Sequence, residues 1–79
     1  MEPTIRGYRD TDFLAVCDLE RENSPSGCKP EVFIRQAGVL FAGTFLVAEH
    51  EGRVVGYAIG ALVQHRPATG WIVRLVVAG

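Results

Sequence analysis

Three features of the sequence predict an α/β fold with a mixed, largely antiparallel sheet of about four strands and two helices. Residues 44–63 read as two apolar runs joined by the polar, glycine-bearing stretch Glu49-His50-Glu51-Gly52-Arg53, which is the pattern of a β-hairpin. Ahead of it, residues 13–19 and 33–41 repeat apolar side chains at helical spacing. After it, residues 71–78 are apolar except for Arg74 and read as a last strand. The hairpin is the element around which the other segments are arranged. With 79 residues the chain is one domain at most. A chain this short buries only about 60% of its unfolded surface, so a partner subunit would help it.

Taken in order, Thr4-Ile5-Arg6-Gly7-Tyr8 alternates loosely around Ile5 and Tyr8 and forms a short first strand. Asp10-Thr11-Asp12 supplies a helix N-cap and acidic first-turn residues ahead of Phe13, Leu14, Val16, Cys17 and Leu19. The helix that follows ends near Glu22, with Asp18 and Arg21 on its polar side. Asn23-Ser24-Pro25-Ser26-Gly27 is dense in turn formers, so a loop runs to Lys29. Pro30 suits the first position of a second helix, on which Glu31 and Arg35 are spaced for an i,i+4 ion pair. Phe33, Ile34, Ala37, Leu40 and Phe41 make its apolar face. Gly38 lowers its helix propensity, and Gly43 is placed to end it in a left-handed cap.

In the hairpin's second strand, Val54, Gly56, Ala58, Gly60 and Leu62 alternate with Val55, Tyr57, Ile59, Ala61 and Val63. Both faces are apolar, so both want cover. The small first set points to close packing of a helix rather than to a ligand groove. Residues 64–70 read as a polar, proline-bearing connection. In the final strand, Trp71, Val73, Leu75 and Val77 alternate with Ile72, Arg74, Val76 and Ala78. An apolar edge of this kind invites pairing with another chain, and the expectation is a homodimer through the C-terminal strand.

Composition excludes several classes. A hydrophobic fraction of 48% and a charged fraction of 22% belong to a globular protein rather than a disordered tail. Net charge is −1, and the eight Lys and Arg are scattered, which argues against a nucleic-acid surface. No apolar run approaches the ~20 residues of a membrane span, and the amino terminus has neither the basic start nor the apolar core of a signal peptide. The expectation is a cytoplasmic protein with no membrane partner. Cys17 and Cys28 match no metal-ligand spacing and read as reduced thiols. Glu49 and His50 read as solvated turn residues and His65 as a loop residue; two distant histidines make no metal site. Trp71 is most simply a core or dimer anchor.

The order strand, helix, loop, helix, hairpin, strand, with Ile5-Arg6-Gly7-Tyr8-Arg9-Asp10-Thr11-Asp12 at the front, resembles the amino-terminal half of a GNAT-superfamily N-acetyltransferase over residues 1–79. Residues 47–58 are similar to the family's second and third strands and residues 72–78 to its fourth. The resemblance implies acetyl transfer from acetyl-CoA to an amine. It implies that a bulge in the fourth strand offers backbone groups to the pantetheine arm, here those of Leu75, Val76 and Val77. It also implies that the loop between the helices lines the acceptor pocket, with Asn23, Ser24 and Phe33 as acceptor-side residues. The family's pyrophosphate loop, Q/R-x-x-G-x-G/A, comes just after the fourth strand, where backbone amides at a helix N-terminus hold the phosphates. Here the chain ends first, so the expectation is a truncated enzyme, inactive or weakly active alone. Some members place a catalytic carboxylate near the position of Arg74, and an arginine cannot be a base at neutral pH, so the catalytic residue is unassigned. The alternative reading is a non-catalytic half-domain that completes its sheet by self-association. A small sensory sheet of PAS-like kind is a third, and would need a ligand cavity.

Overall fold

A computed structural model describes residues 3–23, 29–63 and 65–78. Four strands, β1 (Thr4–Gly7), β2 (Phe45–His50), β3 (Arg53–Val63) and β4 (Arg66–Val77), form one sheet in that order, each antiparallel to its neighbour. Two helices, α1 (Phe13–Asn23) and α2 (Pro30–Leu40), lie between β1 and β2 in the chain. Pro30 begins α2, where its fixed φ is already helical and its missing N–H would have had no partner. Both helices cover one face of the sheet. Val16, Cys17 and Leu19 of α1 and Ile34 and Ala37 of α2 pack on Phe45, Val47, Tyr57, Ile59 and Val76. The rings of Tyr8 and Phe45 stack with centroids 4.1 Å apart.

The hairpin turn has a conformational reason. Glu51 (φ 52°) and Gly52 (φ 78°) both adopt the left-handed region, as a two-residue turn between right-twisted strands requires. Gly43 does not act as expected: its φ is not positive, and α2 gives way to a 3₁₀ turn at Ala42–Thr44. There the Thr44 N–H bonds Phe41 O at 2.9 Å and its hydroxyl donates to Gly60 O, so the helix end is tied directly to β3. The Glu31–Arg35 pair is likewise replaced. Glu31 accepts from Arg21 of α1, while the Arg35 guanidinium lies 4.0 Å from the centroid of the Phe13 ring. The Arg35 guanidinium gains a ring face to lie on, which the contact within one helix would not give it.

Two single-residue irregularities correct the facial assignments. Between the Ala48–Gly56 and Glu49–Val54 pairs, β3 carries an extra residue, Val55, and Val54 consequently packs on the core rather than beside Gly56. Between Ile59–Arg74 and Gly60–Ile72, β4 carries an extra residue, Val73. Pairing also starts earlier than expected, at Arg66, so most of the segment read as a connection is strand. The long β3 supplies ladder partners, and these override the polar composition. Gly56, Ala58 and Gly60 face away from the helices, paired with Leu46, Ala48, Leu75, Val77 and Ile72, so helix packing is not what their size serves. Trp71 is 70% exposed and is no core residue. Leu14 and Leu40, expected on apolar helix faces, are exposed too.

Among the described residues, no helix is long and apolar enough to cross a membrane. Cys17 is buried and free, and burial pushes its thiol up; Cys28 lies outside the described residues.

Candidate functional site

The geometry of interest is at β4, the sheet's edge. Ala78 N–H donates to Val55 O at 2.8 Å. In an antiparallel pair, the residues whose amide and carbonyl face the partner alternate with those whose groups face away. Arg74, Val76 and Ala78 therefore direct their backbone groups to β3, and Leu75 and Val77 present theirs to the open edge. Val76 is buried on the helix side, whereas the Leu75 and Val77 side chains are 66% and 67% exposed on the other face. A Cβ on Gly56 would lie 2.9 Å from Val76 O, so only glycine allows β4 to pair this closely here.

The uncovered face of the sheet is an apolar surface. A groove of about 320 Å³ runs over it between Ile5, Leu46, Ala58, Leu75 and Val77. A second, of about 350 Å³, lies between Thr44, Gly60, Trp71 and Ile72. On the opposite side, a more polar cleft of about 500 Å³ is bounded by Thr11 in the turn ahead of α1, Asp18 midway along α1, Glu49 and Arg53 at the hairpin end, and Ala78.

Behind β4, on the helix side, lies a charged network that sequence reasoning missed. Arg74 Nε and Nη2 donate to Glu20 Oε1 and Oε2 at 2.8 and 2.9 Å, and the Tyr57 hydroxyl donates to Glu20 Oε1. Glu20 is 7% exposed. Burial, followed by the bond to Glu20, pushes the Tyr57 hydroxyl up, and Glu20 raises Arg74 above its ordinary range. Arg74 is therefore a fixed cation with no capacity as a base. Two signals in the sequence were available. Glu20 follows Val16, Cys17 and Leu19 on the apolar arc of α1, and Arg74 is the one charge in residues 71–78; two opposite charges in apolar settings invite pairing.

A second network joins β1 to the turn ahead of α1. Arg6 donates to both Asp12 oxygens at 2.8 Å and to Glu49 Oε2 at 3.4 Å, and Arg9 N–H donates to Asp12 Oδ2 at 2.8 Å. The Arg6 guanidinium holds the Asp12 carboxyl below its usual range, with burial opposing.

Two of the expected acceptor-side residues, Asn23 and Phe33, lie among the described residues. Asn23 ends α1 with its amide donating to Leu19 O at 2.8 Å, and Phe33 packs against the core from α2. Ser24 lies outside the described residues. Leu75, Val76 and Val77 are consecutive on β4, and the strand's single-residue bulge falls at Val73, two residues earlier. Arg53-Val54-Val55-Gly56-Tyr57-Ala58 spells R-x-x-G-x-A, but in β3, where amides pair with neighbouring strands instead of cradling phosphate. Among the described residues, no three His, Cys, Asp or Glu side chains converge in a way that could hold a metal ion.

Residues 12–79 match the model of the acetyltransferase (GNAT) family. The chain belongs to that family. A solved GNAT structure similar to it is diaminobutyrate acetyltransferase from Paenibacillus lautus, in complex with its substrate L-2,4-diaminobutyric acid and coenzyme A. The two share 26% identity and superpose with a TM-score of 0.79, over 99% of this chain and 47% of that one. The chain thus spans about half the length of that relative and carries the amino-terminal half of the GNAT fold. No curated protein matches it by sequence.

Proposed function

We propose that these residues carry the cofactor-facing strand of an N-acetyltransferase that transfers an acetyl group from acetyl-CoA to an amine. The observation that supports this most directly is the open edge of β4, where Leu75 and Val77 offer amide and carbonyl groups two residues apart. That spacing suits an extended ligand that itself contains amides, as a pantetheine arm does, because it can pair as an added strand would. Acetyl-CoA supplies an acyl group activated as a thioester. In the reaction the amine nitrogen bonds to the acyl carbon, the carbon–sulfur bond breaks and the thiolate leaves, with a proton lost from nitrogen. An edge N–H near the acyl oxygen would stabilise the charge that develops there. Asn23, Ser24 and Phe33 remain the acceptor-side candidates. No residue is assigned as base, and turnover by these 79 residues alone is expected to stay at the buffer rate. We also take the protein to be cytoplasmic, which cell fractionation would test.

The test is an amide NMR titration with acetyl-CoA. Shifts concentrated at Leu75 and Val77, and smaller at Val76, are expected; an edge that does not respond at millimolar acetyl-CoA would sink the proposal.

A second reading is supported by the same strand: self-association, with the β4 edge meeting its mate in a homodimer and no catalysis. The exposed Ile72, Leu75 and Val77 beside an open edge favour it. Light scattering with and without acetyl-CoA separates the two. A dimer indifferent to acetyl-CoA favours the interaction module, and a monomer at micromolar concentration removes it.

A further inference from the structure

We propose that Glu20 and Arg74 are positioning residues that select the register of β4 and thereby decide which of its backbone groups reach the open edge. The selection is against a real competitor. If the pairing set by Gly60–Ile72 continued without the bulge, Val73 would lie opposite Ile59 and Leu75 opposite Tyr57, on the helix side. Val77 would follow them. The core would receive three aliphatic side chains, and Arg74 and Val76 would turn to the uncovered face. On hydrophobic pattern alone that register is the better one, because a one-residue slip exchanges the faces of a whole strand.

The structure takes the other. By admitting Val73 as a bulge it sets Arg74 opposite Ile59 and leaves Leu75 and Val77 two-thirds exposed. What the bulge provides is the bidentate contact of Arg74 with Glu20, inside a network that includes the Tyr57 hydroxyl. In the slipped register Glu20 would remain buried on α1 and lose both charge-assisted bonds from Arg74, and taking such bonds from a buried carboxylate is costly. Gly56 works in the same direction. It accepts the close approach of Val76 O that the observed pairing demands.

The functional consequence rests on the reading of the β4 edge as the cofactor edge; the register choice does not. In the slipped strand the edge would present the groups of Arg74 and Val76 instead of those of Leu75 and Val77, moving every bond to an extended ligand by one residue. Glu20 touches no ligand in this scheme. It acts through Arg74.

Amide hydrogen exchange measured residue by residue tests the inference. In the unsubstituted protein, Leu75 and Val77 exchange fast and Val76 slowly. With both charges removed, in Glu20→Leu/Arg74→Leu, the pattern inverts, and the cross-strand contact of Tyr57 moves from Val76 to Leu75. A folded double variant that keeps the original pattern overturns the proposal. Should that variant not fold, Glu20→Gln decides, because it keeps shape and the Tyr57 bond while removing the charge. Val76 exchange should then rise about tenfold relative to Val47 in the distant β2 strand, which reports global opening. An unchanged ratio overturns the proposal. The acetyl-CoA titration of the unsubstituted protein separates the two claims, since a silent edge ends the cofactor reading and leaves the register result standing.

Discussion

Asp12 shows how much of this fold hangs on single polar side chains. It is 5% exposed, accepts both Nη groups of Arg6 and caps the turn ahead of α1 through the Arg9 N–H. Its folded pKa is depressed below the unfolded value, so between the two the unfolded chain binds more protons. The stability it contributes is fully present above the unfolded pKa, near 4, and is lost as pH falls through the folded value. Thermal melts from pH 7 to pH 3 should show the melting temperature falling below about pH 4. In Asp12→Asn the protein should lose about 2 kcal/mol at pH 7, and the acid limb should flatten. An acid limb as steep as that of the unsubstituted protein would place the linkage elsewhere. Tyr57→Phe is the matching test on the other network. Removing one donor to a buried carboxylate should cost about 1.5–3 kcal/mol by denaturant titration, where a loss under half that would show the Arg74 contact to suffice.

At the scale of elements, the two hairpins are set by backbone conformation more than by side-chain pattern. The β2–β3 turn needs left-handed φ at both central positions, and glutamate is a poor residue for the first of them. Glu51→Asn should therefore stabilise the protein by about 0.5 kcal/mol, visible as a rise in melting temperature with the slope of denaturant unfolding unchanged. A fall would mean that the contact of His50 Nε2 with the Glu51 carboxylate, at 3.7 Å, outweighs conformation. The β3–β4 hairpin depends on Gly56. In Gly56→Ala the new methyl meets Val76 O, a backbone atom that moves only with its strand, so the variant should lose about 1–3 kcal/mol. The damage should be local, with amide protection falling at Val76 and Ala78 before it falls in β2. Uniform loss across the sheet would show that β4 does not open by itself.

At the scale of the whole molecule, the decisive feature is that the described residues cover one face of the sheet and leave the other bare. Two helices bury Val47, Tyr57, Ile59 and Val76, while Ile5, Leu46, Ile72, Leu75 and Val77 stay exposed on the other side. An uncovered apolar face beside an open strand edge is unstable against association, since each aliphatic side chain that becomes covered contributes on the order of 1.5 kcal/mol. On the proposed self-association, Leu75→Lys and Val77→Glu should each shift the concentration for association upward about tenfold, measured by sedimentation, without lowering the melting temperature of the monomer. If association is unaffected, the interface lies away from β4.

Much was legible because it depends on neighbours in the chain. Pro30 at a helix start, helical repeats around Val16 and Ile34, and Glu51-Gly52 at a turn act over a few residues, and from them alone the four strands, two helices and their order could be read. The order, with residues 47–58 and 72–78, also carried the family. What only the tertiary structure decided is which side of each strand looks inward. Strict alternation put Val54 beside Gly56 and placed Trp71, Val73, Leu75 and Val77 on one face; single extra residues at Val55 and Val73 undo both, and a bulge leaves no mark in an apolar run. The network of Glu20, Tyr57 and Arg74 joins residues up to 54 positions apart, and it existed in the sequence only as two charges in unexpected places. Periodicity reports the average environment of a segment, whereas register is settled by individual long-range contacts. For this chain those contacts place Leu75 and Val77 at the edge where the proposed chemistry would occur.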